Sequence, residues 1–231
     1  MRHLLYLAAL VGSLLSTHAL AEKTDLTGDP NLWMNVTSFG EAHRLGSEVH
    51  LLSTGNWFYL TKKRYQDFEL TLEVNVPKLE EYVNSGVMFR GQIAYQEDIE
   101  SYHAYGYQAE VDPSDRRWSG GLYEQATARQ WLFPLHPERS APGEHLKHNH
   151  SPEWSQAKAE AFRVGEWNHY RIRAVGPEIK IWVNQVLTTH VTDTRFSEGH
   201  IGIQHHGSKA FAEHRSAANT VKFRNITIEE L

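Results

Sequence analysis

The most constraining feature of this chain is a run of strict two-residue alternation. In Phe68-Glu69-Leu70-Thr71-Leu72-Glu73-Val74-Asn75-Val76 every second residue is apolar, and Pro77 ends the run. Successive side chains of a strand point to opposite faces. The pattern therefore demands a strand with one face in a core and the other in water. Tyr170 to Ala174 alternates likewise before Gly176-Pro177, and Ile179, Ile181 and Val183 alternate with Lys180 and Trp182. Asn184-Gln185 then separates that run from Val186-Leu187, which predicts a hairpin. Glycine is the usual second residue of such a turn, because φ must be positive there. Further strands are expected at 57–60, 85–90, 105–111, 200–206 and 221–230.

Residues 153–162, after Ser151-Pro152, form the best candidate for a helix. Residues 134–152, rich in Pro, His, Gly and charge, are expected to be a long surface loop. Many short strands between turn signals predict an all-β fold, a jelly-roll sandwich of two antiparallel sheets.

The amino terminus carries a different signal. Arg2 and His3 precede an apolar run over 4–15, and Ala19-Leu20-Ala21 supplies small residues in the A-x-A arrangement. This is the pattern of a secretory signal peptide, with cleavage expected between Ala21 and Glu22. A membrane anchor would need roughly 20 consecutive apolar residues, whereas Gly12, Ser13, Ser16 and Thr17 interrupt this run. The expectation is an exported, periplasmic protein with no membrane span after cleavage, residues 22–231 forming one domain. The chain contains no cysteine, which excludes disulfides, thiolate metal sites, a catalytic thiol and a lipoprotein anchor. A net charge of −5 without a long basic run argues against a nucleic-acid partner. Seven Trp, ten Tyr and nine Phe suit both β packing and stacking on sugar rings.

Alternation also assigns faces. Val87 and Phe89 would enter the core, with Arg90 facing the other way. Tyr105, Tyr107, Ala109 and Val111 share one face, opposite Gly106, Gln108 and Glu110. Ile201, Ile203 and His205 lie together, opposite Gly202, Gln204 and His206. If the polar faces belong to one concave sheet, Arg90, Gln108, Glu110, Gln204 and His206 converge. Such a set can bind sugar hydroxyls and move protons. The plainer reading is a solvated strand face.

Several segments, taken in order, carry a resemblance. They include Trp57-Phe58-Tyr59-Leu60-Thr61-Lys62-Lys63, Asn84-Ser85-Gly86-Val87-Met88-Phe89-Arg90-Gly91 and Tyr105-Gly106-Tyr107-Gln108-Ala109-Glu110-Val111-Asp112. They continue through Trp118-Ser119-Gly120-Gly121-Leu122-Tyr123-Glu124 and Gly199-His200-Ile201-Gly202-Ile203-Gln204 to Phe223-Arg224-Asn225-Ile226. The ordered set resembles the 3-keto-disaccharide hydrolase family. That resemblance implies a concanavalin-like or laminin-G-like sandwich with its ligand on the concave sheet. It also implies activity on glycosides oxidised to a ketone at carbon 3. Gln185 in place of the usual turn glycine and an insertion at 208–220 depart from the family pattern.

A ketone at carbon 3 acidifies the proton at carbon 2, so that enolisation can expel the glycosidic oxygen from carbon 1, and water can then add. The scheme needs a base, an electrophile for the enolate oxygen and an acid. Glu110 or His206 is expected as the base, with Arg90 stabilising the enolate oxygen; alternatively Arg90 is only a core-edge partner of Glu110. Gln108, Gln204 and Asp112 are candidate substrate contacts, although Asp112 also suits a turn cap. Trp118 and Tyr123 are candidate stacking residues, although Trp118 equally suits loop packing. No cofactor is certain, and a divalent metal held by His206 and Glu110 is the alternative Lewis acid. His136, His145, His148 and His150 suggest a separate metal site, but a solvated loop would lack oriented support for the ligands. The competing function is a non-catalytic, lectin-like carbohydrate-binding module.

Overall fold

The computed structural model describes residues 22–97, 100–151 and 153–231. The expected signal peptide, residues 1–21, lies outside the described residues. The first strands are β1 (Lys23–Asp25), β2 (Trp33–Asn35), β3 (Gly40–Leu45), β4 (Glu48–Ser53), β5 (Trp57–Tyr65) and β6 (Phe68–Asn75). Then come β7 (Ser85–Gln96), β8 (Ser101–Val111), β9 (Leu122–Gln125), β10 (Gln130–Phe133) and β11 (Leu146–Asn149). The last are β12 (Asn168–Val175), β13 (Glu178–Val183), β14 (Val186–Asp193), β15 (Gly199–His205) and β16 (Val221–Glu230).

These strands make two antiparallel sheets. One runs β11-β14-β13-β12-β6-β16-β4-β3, with β1 beside β16, and the other runs β10-β9-β8-β7-β15-β5-β2. The fold is thus the all-β sandwich expected. The alternation of β6 is realised literally: Phe68, Leu70, Leu72 and Val74 are buried in the core between the sheets, and the residues between them are part-exposed. Val87, Phe89, Tyr107, Ala109, Ile201 and Ile203 face them from the seven-stranded sheet. Burying each Val, Leu, Ile or Phe side chain among them contributes ~1.5–3 kcal/mol. An ionic network also joins the two sheets. Arg129 bonds to Glu124 of β9 at 2.6 Å and to Asp193 of β14, which in turn accepts from the Tyr107 hydroxyl.

The turn at Asn184-Gln185 takes φ of 46° and 73°, the two left-handed positions that a tight hairpin requires. Glutamine tolerates the second because Asn184 is anchored. Its side chain donates to Ala161 O at 2.7 Å and accepts from His169 N at 2.8 Å. The helix expected over 153–162 shrinks to one turn, α1 (Gln156–Ala159), N-capped by Ser155. The expected loop at 134–152 contains β11, which pairs with the edge of β14. The insertion at 208–220 contains a short helix, α2 (Lys209–His214), capped by Ser208.

One irregularity decides where the functional groups go. Between the pairs Phe89↔Tyr107 and Gln92↔Tyr105, β7 carries two residues, Arg90 and Gly91, against the single Gly106 of β8. Arg90 takes φ of 50° within this bulge. Gly106 has φ of 138°, and a Cβ there would stand 3.1 Å from Arg90 O, so glycine is required opposite the bulge.

Candidate functional site

Outside the core, the seven-stranded sheet presents its second face. Gln108 and Glu110 of β8 and Gln204 of β15 point to this side, as alternation requires. With His206, Asn84, Asn56, Tyr82, Tyr123, Trp131 and Arg116 they line a cavity of about 270 Å³. The sheet interior forces the polar groups into a chain of hydrogen bonds. Gln108 Nε2 donates to Glu110 Oε1 at 2.7 Å and to Gln204 Oε1 at 3.2 Å. Gln204 Nε2 donates to Asn56 Oδ1 at 2.8 Å, and Asn84 Nδ2 donates to Glu110 Oε2 at 3.5 Å. Room for the Gln108 amide comes from Gly86, which lies opposite Glu110 in the ladder. A Cβ at Gly86 would sit 2.4 Å from Gln108 Nε2.

This packing leaves the Glu110 carboxyl in low dielectric. Burial, and then the Asp112 carboxylate, push it up to about 8, against the Asn84 hydrogen bond, the Arg116 charge and the Gln108 hydrogen bond. Glu110 is therefore mostly protonated at neutral pH. His206 is open to solvent at the cavity rim. The walls around its ring nevertheless desolvate it enough to hold its pKa below the usual histidine value, so it is neutral under the same conditions. Tyr82 packs edge-on against it, 5.4 Å between ring centroids. A neutral carboxyl, a neutral imidazole and a guanidinium thus face one polar cavity. Two buried atoms on its wall, Gln108 Oε1 and Trp131 Nε1, have no partner.

Arg90 is not among these groups. Because the bulge breaks the alternation of β7 at this residue, its side chain passes to the end of the sandwich. There Nε and Nη2 donate to Gln66 O at 3.1 and 2.9 Å, and Nη1 donates to Gly176 O at 2.7 Å and Phe196 O at 3.1 Å. Asp67 completes the pairing at 3.2 Å. Arg90 is wholly buried and closes one end of the fold, so the expected convergence with Glu110 fails for this residue. The guanidinium of the cavity belongs to Arg116, whose Nε donates to Asp112 Oδ2 at 2.9 Å. Asp112 itself is buried behind the cavity and also accepts from Ser114 N at 3.2 Å, as a turn cap would.

Trp118 also differs from expectation. It packs edge-on behind Trp131, 4.7 Å between centroids, and it is Trp131, with Tyr123, that lines the cavity. Sequence reasoning missed Arg116, Trp131, Asn56 and Asn84. Of these, only Arg116 carried a usable signal, its i,i+4 spacing from Asp112.

Among the described residues no group of three or more His, Cys, Asp or Glu side chains is arranged to hold a metal ion. Along the β11–β14 edge His148 meets His150 edge-on at 4.3 Å and His150 stacks on His190 at 4.1 Å between ring centroids, whereas His136 packs against Trp118 instead. No helix of the described residues is long and apolar enough to cross a membrane.

Solved structures share the architecture. A carbohydrate binding module, CBM66, from Bacillus subtilis aligns with a TM-score of 0.54 at 18% identity, covering 86% of this chain and 96% of that one. A putative glycosyl hydrolase from Parabacteroides distasonis aligns at 0.55 and 13% identity, covering 90% and 94%. A Bacillus subtilis protein of unknown function with a galectin-like fold aligns at 0.54 and 9%, again covering 90% and 94%. At such identities these likenesses establish the fold alone. No curated relative matches the sequence. Residues 22–229, however, match the 3-keto-alpha-glucoside-1,2-lyase-like domain, and the chain belongs to that family, whose function is carbohydrate-related.

Proposed function

We propose that this protein is an exported enzyme that cleaves 3-keto-glycosides by enolisation, elimination and hydration. The observation that carries the reading is the pairing of a buried carboxyl titrating at about 8 with a neutral histidine in one polar cavity. Opposite proton assignments from two environments are how one site supplies both an acid and a base near neutral pH.

In this reading the pyranose ring lies on Gln108 and Gln204, with Trp131 and Tyr123 beside it. Neutral Glu110 and Arg116 bind the carbon-3 oxygen, where negative charge develops. Donors held toward such an oxyanion are worth ~10²–10³-fold each. His206 removes the proton from carbon 2, and the electron pair moves into the enolate. The enolate then reforms the ketone, making the carbon 1–carbon 2 double bond while the carbon 1–oxygen bond breaks. The imidazolium gives its proton to the departing oxygen. Hydration reverses the order: His206 takes a proton from water adding at carbon 1 and returns it to carbon 2. Each group ends as it began. This differs from ordinary glycoside hydrolysis, which proceeds through an oxocarbenium-like state between two carboxylates.

The test is incubation of the purified protein with methyl 3-keto-glucoside in D2O, followed by NMR. The reading expects methanol release and deuterium at carbon 2 of the product. Binding without either would overturn the enzyme reading in favour of a carbohydrate-binding module.

A further inference from the structure

Beside the polar cavity, and sharing Asn56 and Gln125 with it, lies a second cavity of about 170 Å³ on the same face of the sheet. Val36, Phe39, Phe58, Tyr102 and Ala104 are its main apolar lining, with Thr37, Asn56, Gln96 and Gln125 among the other lining residues. The strand pattern explains the change of character. Tyr102, Ala104, Gln108 and Glu110 all project from one side of β8, with Gly106 between, so polarity changes along the strand from its first half to its second. Across the sheet, Phe58, Leu60, Met88 and Ala104 form an apolar cluster separate from the main core, with Met34, Val36 and Ile93 packed on it. Phe39 and Tyr102 remain 39% and 51% exposed over this floor, so apolar surface is left uncovered next to the polar site. One polar atom of a lining residue, Thr37 Oγ1, is buried without a partner.

Resting on the reaction proposed above, we infer that this second cavity is the leaving-group subsite and that it takes an aromatic, ring-sized aglycone rather than a second sugar. Asn56 borders both cavities and accepts from Gln204, so a glycosidic oxygen between them would lie where the two subsites meet. A dry cavity of ~150 Å³ with aliphatic and aromatic walls accommodates one benzene ring, which matches the space here. A second pyranose would press some of its hydroxyls against Phe39, Phe58 and Ala104, and hydroxyls buried against carbon are disfavoured, whereas an aromatic ring gains there. The unpartnered Thr37 Oγ1 suits one polar substituent on the ring.

The test compares benzyl with methyl 3-keto-glucoside. Both leave as simple alkoxides, so the ratio of their kcat/KM values reads binding of the aglycone and not its acidity. The expected ratio for the wild-type protein is at least about 10-fold in favour of benzyl. Ala104→Leu, which fills the cavity floor, and Phe39→Ser, which removes a wall from an exposed position, should each bring the ratio toward one. Turnover of both substrates at equal efficiency by the wild-type protein overturns the subsite and leaves the reaction standing. No turnover of either overturns the reaction itself. The wild-type ratio decides the matter even if a variant fails to fold.

Discussion

Arg116 Nε donates to Asp112 at 2.9 Å, and the accepting carboxylate lies wholly out of solvent while the guanidinium stays one-third exposed. The same buried anion raises the proton affinity of Glu110. One residue therefore orients the cation of the cavity and adds to the burial that keeps its carboxyl protonated. Asp112→Asn removes both effects. The alkaline limb of the kcat/KM profile should move below pH ~8 because the repelling charge is gone. An alkaline limb that stays in place would show that Asp112 does not govern Glu110.

Glu110 supports a pair of contrasting substitutions. Glu110→Gln keeps a hydrogen-bond donor of the same shape but cannot titrate. It should retain more activity than Glu110→Ala, which is expected to lose ~10²–10³-fold, and its profile should lack the alkaline limb. Equal losses in the two variants, with the limb intact, would contradict the assignment. His206→Ala should lose ~10²–10⁴-fold.

The same carboxyl links stability to pH. Unfolded, it titrates near ~4.3; folded, it titrates at about 8. The fold holds the proton more tightly, so this contribution is complete below ~4.3 and is lost as pH rises toward 8. Glu110→Gln should consequently raise Tm relative to wild type at pH ~8.5 by more than it does at pH ~4. Parallel Tm curves for the two proteins would refute the linkage.

Arg90 is expected to matter for stability alone. Arg90→Met leaves the carbonyls of Gln66, Gly176 and Phe196 without their donor, at ~1–3 kcal/mol for each group that stays buried. Denaturant unfolding should show a loss of several kcal/mol, with kcat of the folded fraction unchanged. A specific fall in kcat without loss of stability would restore the catalytic role.

Gly86→Ala places a methyl group 2.4 Å from the Gln108 amide. Overpacking of this kind costs ~1–3 kcal/mol, and the displaced amide loses its bond to Glu110. Reduced activity together with reduced stability is expected, and an unperturbed variant would mean that the Gln108 position is not fixed.

Export is open to a direct check. Expressed with residues 1–21 in a bacterial host, the protein should be recovered with Glu22 at its amino terminus. An intact mass that retains the first 21 residues would remove the export proposal.

The sandwich was legible because alternation is periodic and local: β6, β12 and β13 announce their buried faces residue by residue. The placement of Gln108, Glu110 and Gln204 on one outward face was legible for the same reason. Arg90 was not, because the bulge is an irregularity in chain length, and nothing in Phe89-Arg90-Gly91 states that β8 will present only Gly106 opposite. Arg116 and Trp131 lie outside the alternating runs, after β8 and in β10. Their approach to the cavity depends on how those segments fold over the sheet, which no period of the sequence encodes. The single-turn helix at 156–159 was overestimated since a short apolar spacing cannot show where a turn stops.

The bulge has an effect beyond Arg90. With one extra residue in β7, the parity of the strand reverses past it, so that Ile93 sits opposite Ala104 and joins the outward apolar cluster. Were the existing residues to alternate regularly through Arg90 and Gly91, Gln92 and Ala94 would occupy the outward side instead. Deleting Gly91 while keeping every other side chain should therefore leave Ile93 opposite Ala104 and return Arg90 to the outward side opposite Gly106, which a structure of the shortened chain would reveal. Which side chains reach the outward face is in this sense written in the length of a strand: a single-codon loss would turn the Arg90 guanidinium toward that face while leaving Ile93 in place.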